Sequence, residues 1–218
     1  MYMSKDALYD WLGYNQSIFH HTHHFTDNKT ALSVLKLLTD SVGDYKMFPI
    51  HFLILLVAIF FLLRKNHSDR NSSTLYIKSA LTLVVSMIIV FFAGWVLKET
   101  LSFARPYCRD TTLINRLVAE VMNYDHSSCF SSTPSGHSLY ITTFVISIWS
   151  ILNKPLRITG IGLIFLISLS RVALGMHFPA DVVYGVLMAA TITIGIKFFA
   201  DNILTEYTKR IKSKLGIN

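Results

Sequence analysis

The stretch that decides the fold is residues 75–97, LYIKSALTLVVSMIIVFFAGWVL, in which Lys78 is the only charged residue. A helix needs about 20 predominantly apolar residues to cross the roughly 30 Å of hydrocarbon in a bilayer. This run meets that length, so the sequence predicts a transmembrane helix here.

Four further apolar runs lie outside this stretch, at residues 47–63, 138–152, 158–169 and 182–200. The runs at 138–152 and 158–169 are short, and we expect both to extend into the polar motifs beside them. The chain is 52% hydrophobic and 15% charged, whereas a soluble domain carries about 25% charged residues. The predicted fold is all-α, a single domain over residues 1–218 that forms a polytopic bundle of five to six transmembrane helices.

The basic residues predict the orientation of this bundle. More than half of the chain's 20 Lys and Arg residues fall in the loop 64–78, the turn 153–157 and the segment after residue 196. The positive-inside rule assigns these parts to the cytoplasm, with residues 201–218 as a basic tail. The N-terminus and the loops 98–137 and 170–181 then face outward. The net charge is +7, and the charged residues flank apolar runs. We therefore expect the bilayer as partner and no nucleic acid.

Residues 1–45 are predicted to form an N-terminal interfacial segment. Leu32, Leu35 and Leu38 recur at helical spacing with polar residues between them, a pattern typical of an amphipathic helix in the membrane interface. A sixth span within residues 7–39 is the alternative. The start of the chain lacks the basic and apolar regions of a signal peptide, so we expect the spans themselves to direct insertion.

Three polar clusters follow in the outward loops, and the first joins Lys98 to Arg105-Pro106. Lys98 and Arg105 are two helical turns apart, so a continuing helix would place both on one face, and Pro106 would end it. Two fixed cations at a helix end suit a phosphate. The alternative is snorkelling of both side chains to the interface.

The second cluster is the run of residues 134–137, Pro-Ser-Gly-His, at the start of an apolar run. Ser135 can donate its hydroxyl, Gly136 lets backbone approach a ligand, and free N–H groups at a helix start bind anions. His137 would stand where an acid protonates a leaving oxygen. The alternative is a helix cap followed by an interfacial histidine.

The third cluster contains Ser170-Arg171, His177 and Asp181. A carboxylate that accepts a hydrogen bond from one imidazole nitrogen fixes the tautomer and leaves the other nitrogen as nucleophile. A salt bridge between Arg171 and Asp181 is the alternative, although charges at membrane depth are costly and usually functional. Together the clusters supply three cations, a nucleophilic imidazole and an acid, an inventory that predicts phosphoryl transfer through phosphohistidine with neither metal nor cofactor.

These eleven residues resemble the three-part signature of the type 2 phosphatidic acid phosphatase superfamily: Lys98-x6-Arg105-Pro106, Pro134-Ser135-Gly136-His137 and Ser170-Arg171-x5-His177-x3-Asp181. The resemblance covers residues 98–181, and it departs from the signature at no motif position. The superfamily also contains soluble acid phosphatases and vanadium haloperoxidases, and the apolar runs argue against both.

The resemblance implies a role for each residue of the signature. The phosphate would be bound by three cations, Lys98, Arg105 and Arg171. Ser135 and Gly136 would add hydrogen bonds, while His177 would be the nucleophile, Asp181 its partner and His137 the acid. It also implies a lipid phosphatase. The small size of the chain and its lack of eukaryotic targeting features indicate a bacterial inner membrane, and the positive-inside orientation predicts a site that faces the periplasm or exterior.

Bacterial members act on undecaprenyl pyrophosphate, phosphatidylglycerol phosphate, phosphatidic acid or lipid A, and extra cations such as Arg109 slightly favour the pyrophosphate. A lipid phosphotransferase with the same site is one alternative. A non-catalytic transporter or scaffold is another alternative. Loss of a motif histidine or cation would indicate it, and the sequence has lost none of them. The sequence leaves the oligomeric state open.

The remaining metal- or redox-active residues are two cysteines and a histidine block. Cys108 and Cys129 lie in the predicted outward loop, and in an oxidising compartment they would pair and tie the first cluster to the second; two free thiols are the alternative. The block His20-His21-Thr22-His23-His24 is too crowded for a defined coordination shell. We therefore expect a polar interfacial segment there and no metal.

Overall fold

The chain folds into helices, and a computed structural model describes residues 9–24, 28–43, 48–65, 70–110, 113–114, 116–122, 124 and 126–215. All regular secondary structure within these residues is helical, which confirms the predicted fold class. The helices in chain order are α1 (Tyr14–His24), α2 (Lys29–Leu38), α3 (Phe48–Lys65), α4 (Arg70–Leu101), α5 (Pro106–Arg109), α6 (Arg116–Val121), α7 (Gly136–Ile148), α8 (Lys154–Ala173) and α9 (Pro179–Leu215).

The long helices contain the predicted apolar runs. Within the described residues, three stretches are long and apolar enough to cross a membrane, Thr74–Arg109, Lys154–Ala173 and Pro179–Asn202, with a shorter apolar stretch at Gly136–Ile151. The two short runs extend into the motifs as predicted, since α7 begins at Gly136 and α8 continues to Ala173. The chain is therefore a multi-pass membrane protein.

Helices α4, α7 and α9 pack against one another and form the centre of the bundle. Two glycines permit this close approach. A methyl group on Gly94 of α4 would lie 2.7 Å from Leu139 Cδ1 of α7, and one on Gly185 of α9 would lie 3.1 Å from the Ser135 carbonyl oxygen. Small residues at helix interfaces are the usual means of close packing in membranes. The start of α7 is thereby held against the first turns of α9.

The outer surface of the bundle is apolar, with side chains such as Ile88, Phe92, Phe165 and Phe198 more than 60% exposed. Such exposed apolar faces are expected where lipid replaces water. At the predicted cytoplasmic end, Lys78 Nζ lies 3.5 Å from Asp201 Oδ1.

The N-terminal segment packs on the protein. The amphipathic helix predicted from its leucines is α2, and Leu32 is fully buried against Val118, Met122 and Leu174. Helices α1 and α2 contain 11 and 10 residues, and a span needs about 20. Neither helix is long enough to cross a bilayer by itself.

Candidate active site

The turn after α4 positions the first cluster, and it differs from the prediction. The expected continuous helix through Arg105 was wrong, because α4 ends at Leu101 and residues 102–105 are not helical. Ser102 adopts a φ of 50°, which breaks the helix before Pro106 is reached. Pro106 begins α5 instead of ending α4, a first-turn position that its missing N–H suits.

Lys98 and Arg105 nevertheless converge. Lys98 Nζ donates to the Ser131 carbonyl oxygen at 2.7 Å, and Arg105 Nη2 approaches the same oxygen at 3.5 Å. Arg105 Nε also donates to the carbonyl oxygen of Ser128 at 3.0 Å. Carbonyl oxygens of the loop 128–131 therefore position both cationic side chains next to the motif at the start of α7.

A disulfide between Cys108 and Cys129 joins α5 to this loop, with Cα atoms 5.6 Å apart. Two backbone hydrogen bonds join the same two segments. Arg105 N donates to the Cys129 carbonyl oxygen at 2.8 Å, and Ser132 N donates to the Phe103 carbonyl oxygen at 3.1 Å. The disulfide thus links the first cluster to the segment that leads into the second.

Loss of this disulfide is expected to destabilise the folded protein. The cysteines are separated by 21 residues, and the chain-entropy model gives about 3 kcal/mol for such a loop. For a chain of this length that corresponds to a fall of roughly 10 °C in the unfolding midpoint of a Cys108→Ser/Cys129→Ser variant, followed thermally in detergent. Reductant should lower the wild-type midpoint similarly and leave the variant unchanged; equal midpoints without reductant would contradict the prediction.

The loop between α8 and α9 positions His177. Gly175 has a φ of +65°, a left-handed conformation that favours glycine. The chain then turns back so that the backbone N–H groups of Met176 and His177 both donate to the Arg171 carbonyl oxygen. His177 Nδ1 lies 3.4 Å from Asp181 Oδ2. Within the described residues, Nδ1 forms no closer hydrogen bond.

Asp181 is held by several donors in addition to His177. Oδ1 accepts hydrogen bonds from the hydroxyls of Tyr9, at 2.8 Å, and of Thr133. Oδ2 accepts from Ser132 Oγ at 2.5 Å and from Phe178 N at 2.8 Å. None of these donors was predicted from the sequence. The position of Ser132 and Thr133 directly before the second motif was the one signal that could have indicated two of them.

His177 is neutral over the whole physiological range. Burial lowers the pKa of its imidazole to about 3, and the charges of Arg105 and Lys98 act in the same direction, while the hydrogen bond to Asp181 opposes them. Because a protonated imidazole has no lone pair on Nε2, this lowered pKa keeps His177 in the form that can attack a phosphorus atom.

The start of α7 presents unsatisfied polar atoms. Ser135 Oγ and His137 Nε2 are buried and have no partner within the described part of the chain, an arrangement that usually indicates a ligand or water. A Cβ on Gly136 would meet nothing within 4 Å, so there is room beside this backbone. The Ser135 N–H donates to the Asp181 carbonyl oxygen at 3.0 Å, which ties the second cluster to the third.

Arg171 is the third cation of the site. It is 4% exposed, and its Nη1 approaches Thr39 Oγ1 at 3.5 Å. His137 lies within electrostatic range of Arg171, Arg105 and Lys98. The structure therefore brings all three predicted cations and both predicted histidines to one end of the bundle.

One residue of the histidine block, His23, packs into the protein. His23 is buried, stacks on Phe19 and donates from Nδ1 to the Ala173 carbonyl oxygen at 2.9 Å. His20 and His21 lie on the same helix, α1, and the side chain of His24 is outside the described residues. Within the described residues, no three His, Cys, Asp or Glu side chains are grouped as a metal site.

The fold and the site define a multi-pass membrane protein with converging cations and histidines at one end of its helical bundle. Residues 79–203, more than half of the chain, match the model of the PAP2 superfamily. The chain belongs to the PAP2 superfamily, which confirms the resemblance seen in the three motifs.

Individual relatives agree with this assignment. The chain is 32% identical over 117 residues to an undecaprenyl-diphosphatase from Sulfolobus acidocaldarius, a match that covers 53% of the chain and 52% of that protein. The matched region thus spans about half the length of this relative. The fold is similar to that of LpxE from Aquifex aeolicus, with a TM-score of 0.63, 17% identity and coverage of 83% of this chain and 93% of that one.

A second solved structure has the same fold. It is a transmembrane PAP2 type phosphatidylglycerolphosphate phosphatase from Bacillus subtilis, with a TM-score of 0.62 and 20% identity. The similarity covers 86% of this chain and 87% of that one.

Proposed function

We propose that the protein is a lipid phosphatase that hydrolyses a phosphate monoester or pyrophosphate of a membrane lipid through a phosphohistidine on His177, without a metal. One observation carries this proposal: the neutral, buried His177 is paired with Asp181 and lies at the cluster of three cations. The PAP2 membership of the chain supports the same chemistry.

In the first half-reaction, Lys98, Arg105 and Arg171 bind the phosphoryl oxygens and neutralise their charge. Nε2 of His177 attacks phosphorus in line, so that a P–N bond forms while the bond from phosphorus to the leaving oxygen breaks. His137 gives a proton to that oxygen, and the dephosphorylated lipid leaves. Asp181 accepts from Nδ1–H and stabilises the positive charge that develops on the imidazole ring.

In the second half-reaction, a water molecule replaces the lipid. His137, now deprotonated, takes a proton from this water, whose oxygen forms a bond to phosphorus as the P–N bond breaks. Inorganic phosphate leaves and the neutral imidazole of His177 is restored. The three cations supply the electrostatic stabilisation that metal ions provide in many other phosphoryl-transfer enzymes.

An apolar groove beside the site supports a lipid substrate. It has a volume of about 560 Å³, lies between α1, α8 and α9, and is lined by residues that include Ile18, Phe165, Val172 and Val182. Val172 and Val182 directly follow Arg171 and Asp181 in sequence. A hydrocarbon chain in this groove would lie beside the backbone that carries Arg171 and Asp181.

A lipid pyrophosphate is the first candidate substrate. The exposed Arg109 places its guanidinium 5.9 Å from the ring centroid of Phe178, the neighbour of His177, where it offers a cation for a second phosphate. The undecaprenyl-diphosphatase from Sulfolobus acidocaldarius supports the same choice by its name.

We further propose that the protein lies in a bacterial inner membrane with its site facing the periplasm or exterior. The distribution of Lys and Arg supports this orientation. The disulfide beside the site supports it independently, because disulfides persist in oxidising compartments.

The test is phosphate release by the detergent-purified protein from undecaprenyl pyrophosphate, phosphatidylglycerol phosphate, phosphatidic acid and lipid A. We expect release that survives EDTA and is fastest with the pyrophosphate. Loss of activity in EDTA that returns with added metal would contradict the metal-free mechanism. Failure to release phosphate from any lipid, together with transfer of label to an added lipid alcohol, would establish the phosphotransferase instead.

A further inference from the structure

A short N-terminal stretch, residues 9–15, reaches the active site although it lies outside the residues 79–203 that match the family model. Tyr9 is 5% exposed. Its ring stacks on Phe103 with centroids 4.0 Å apart and meets the ring of Phe178 edge-on at 6.2 Å. Tyr9 is thus held between the turn that follows α4 and the loop that carries His177.

The hydroxyl of Tyr9 acts on the carboxylate that orients His177. It donates to Asp181 Oδ1 at 2.8 Å, while the other oxygen of the same carboxylate faces His177 Nδ1 at 3.4 Å. Burial, together with the charge of Asp181, raises the pKa of the Tyr9 hydroxyl far above its ordinary value. The hydroxyl therefore keeps its proton and donates to the carboxylate. Hydrogen bonds to an ionised acceptor are stronger than neutral ones.

Two further hydrogen bonds hold this N-terminal stretch against α9. Trp11 Nε1 donates to the Tyr184 hydroxyl at 3.0 Å. The Ala180 N–H, one of the free amides in the first turn of α9, donates to Asn15 Oδ1 at 2.8 Å. The stretch therefore fixes the helix end that bears Asp181 as well as its carboxylate.

We propose that Tyr9 is a positioning residue for the His177–Asp181 pair, so that the N-terminal stretch completes the active site. This inference rests on the proposed phosphatase function. Tyr9 acts through Asp181. Its hydroxyl fixes the rotamer of the Asp181 carboxylate, and the negative charge of that carboxylate is then shared between the Tyr9 hydroxyl and His177.

Tyr9→Phe tests the hydroxyl and keeps the ring between Phe103 and Phe178. We expect kcat to fall about tenfold with little change in KM, since the cations that bind the phosphate are untouched. The matched control is Tyr184→Phe, which removes another hydrogen bond between the same stretch and α9 without touching Asp181. Both variants should unfold at similar temperatures, and only Tyr9→Phe should lose turnover.

The pH profile provides a readout that a purely structural role would not change. The charged and titratable groups around the pair are Lys98 from α4, Arg105 from the turn, His137 from α7, Arg171 from α8 and Tyr9. Without the Tyr9 hydroxyl, Asp181 concentrates its charge on His177, which raises the pKa of His177. The acid limb of kcat/KM should therefore move to higher pH in Tyr9→Phe and stay in place in Tyr184→Phe.

An unchanged kcat and acid limb in Tyr9→Phe, with an active wild-type protein, would overturn the inference and leave the phosphatase function intact. Equal losses in both variants would reduce Tyr9 to a structural role and would also overturn it. If the wild-type protein releases no phosphate, the function fails, and the inference is tested by titrating the His177 imidazole by NMR. A higher pKa of His177 in Tyr9→Phe than in the wild type supports positioning, and an equal one contradicts it.

Discussion

Replacing His177 by alanine is expected to lower phosphate release from a lipid phosphate by about 10⁴-fold or more, because the variant has no nucleophile to form the P–N bond. The wild-type protein, quenched during turnover of a lipid labelled with ³²P, should carry acid-labile label, since a P–N bond to histidine breaks in acid. His177→Ala should carry none.

The cations define the control for this experiment. Lys98, Arg105 and Arg171 remain in His177→Ala, so the variant should still bind inorganic phosphate within a fewfold of the wild type. A variant that neither turns over nor binds phosphate would report misfolding, and His177→Asn would then replace it. Substantial turnover by a folded His177 variant, or label on another residue, would refute the assignment of the nucleophile.

Replacing His137 by alanine is expected to produce losses that depend on the leaving group. A lipid monoester must expel an alkoxide, which needs a proton, so its turnover should fall by about 10²- to 10⁴-fold. A lipid pyrophosphate expels a phosphate, which needs the proton less, so its first half-reaction should be affected less. The second half-reaction still lacks its base. Labelled phosphohistidine should therefore accumulate in His137→Ala when the pyrophosphate is supplied.

His51 offers the matched control histidine. Its Nδ1 lies 2.6 Å from the hydroxyl of Tyr140 on α7. Within the described part of the chain, its ring contacts are with Tyr140 and Phe144, neither of which belongs to the site. His51→Ala should keep turnover within a fewfold of the wild type and accumulate no label. Equal losses on monoester and pyrophosphate in His137→Ala would contradict its role as an acid.

Much of the bundle was predictable because its pattern is local. Apolar runs close to membrane length predicted α4 and α9. The shorter runs at residues 138–152 and 158–169, with the polar motifs beside them, predicted α7 and α8. The clustering of the site followed from the same pattern. Successive spans run in opposite directions, so their connecting loops lie alternately on the two sides of the membrane. The order of the spans therefore predicts which motifs share a side, even when the packing of the helices is unknown.

The turn after α4 and the N-terminal contacts were not predictable for the opposite reason. Ser102 adopts a positive φ, and serine gives no sequence signal for that conformation. Tyr9 and Asp181 are 172 residues apart, and no periodicity in either neighbourhood relates them. The apolar face of α2 was visible in the sequence, but whether it met lipid or protein depended on Leu174, far along the chain.

The contact between Tyr9 and Asp181 also has a consequence for biogenesis. Residue 9 is synthesised before the segment that carries Asp181, which lies 172 residues further along the chain. Contacts of such high sequence separation form late, after the intervening chain has been ordered. The spans between these residues are inserted one after another, so the contact that we propose to position the carboxylate forms only after α9 has joined the bundle.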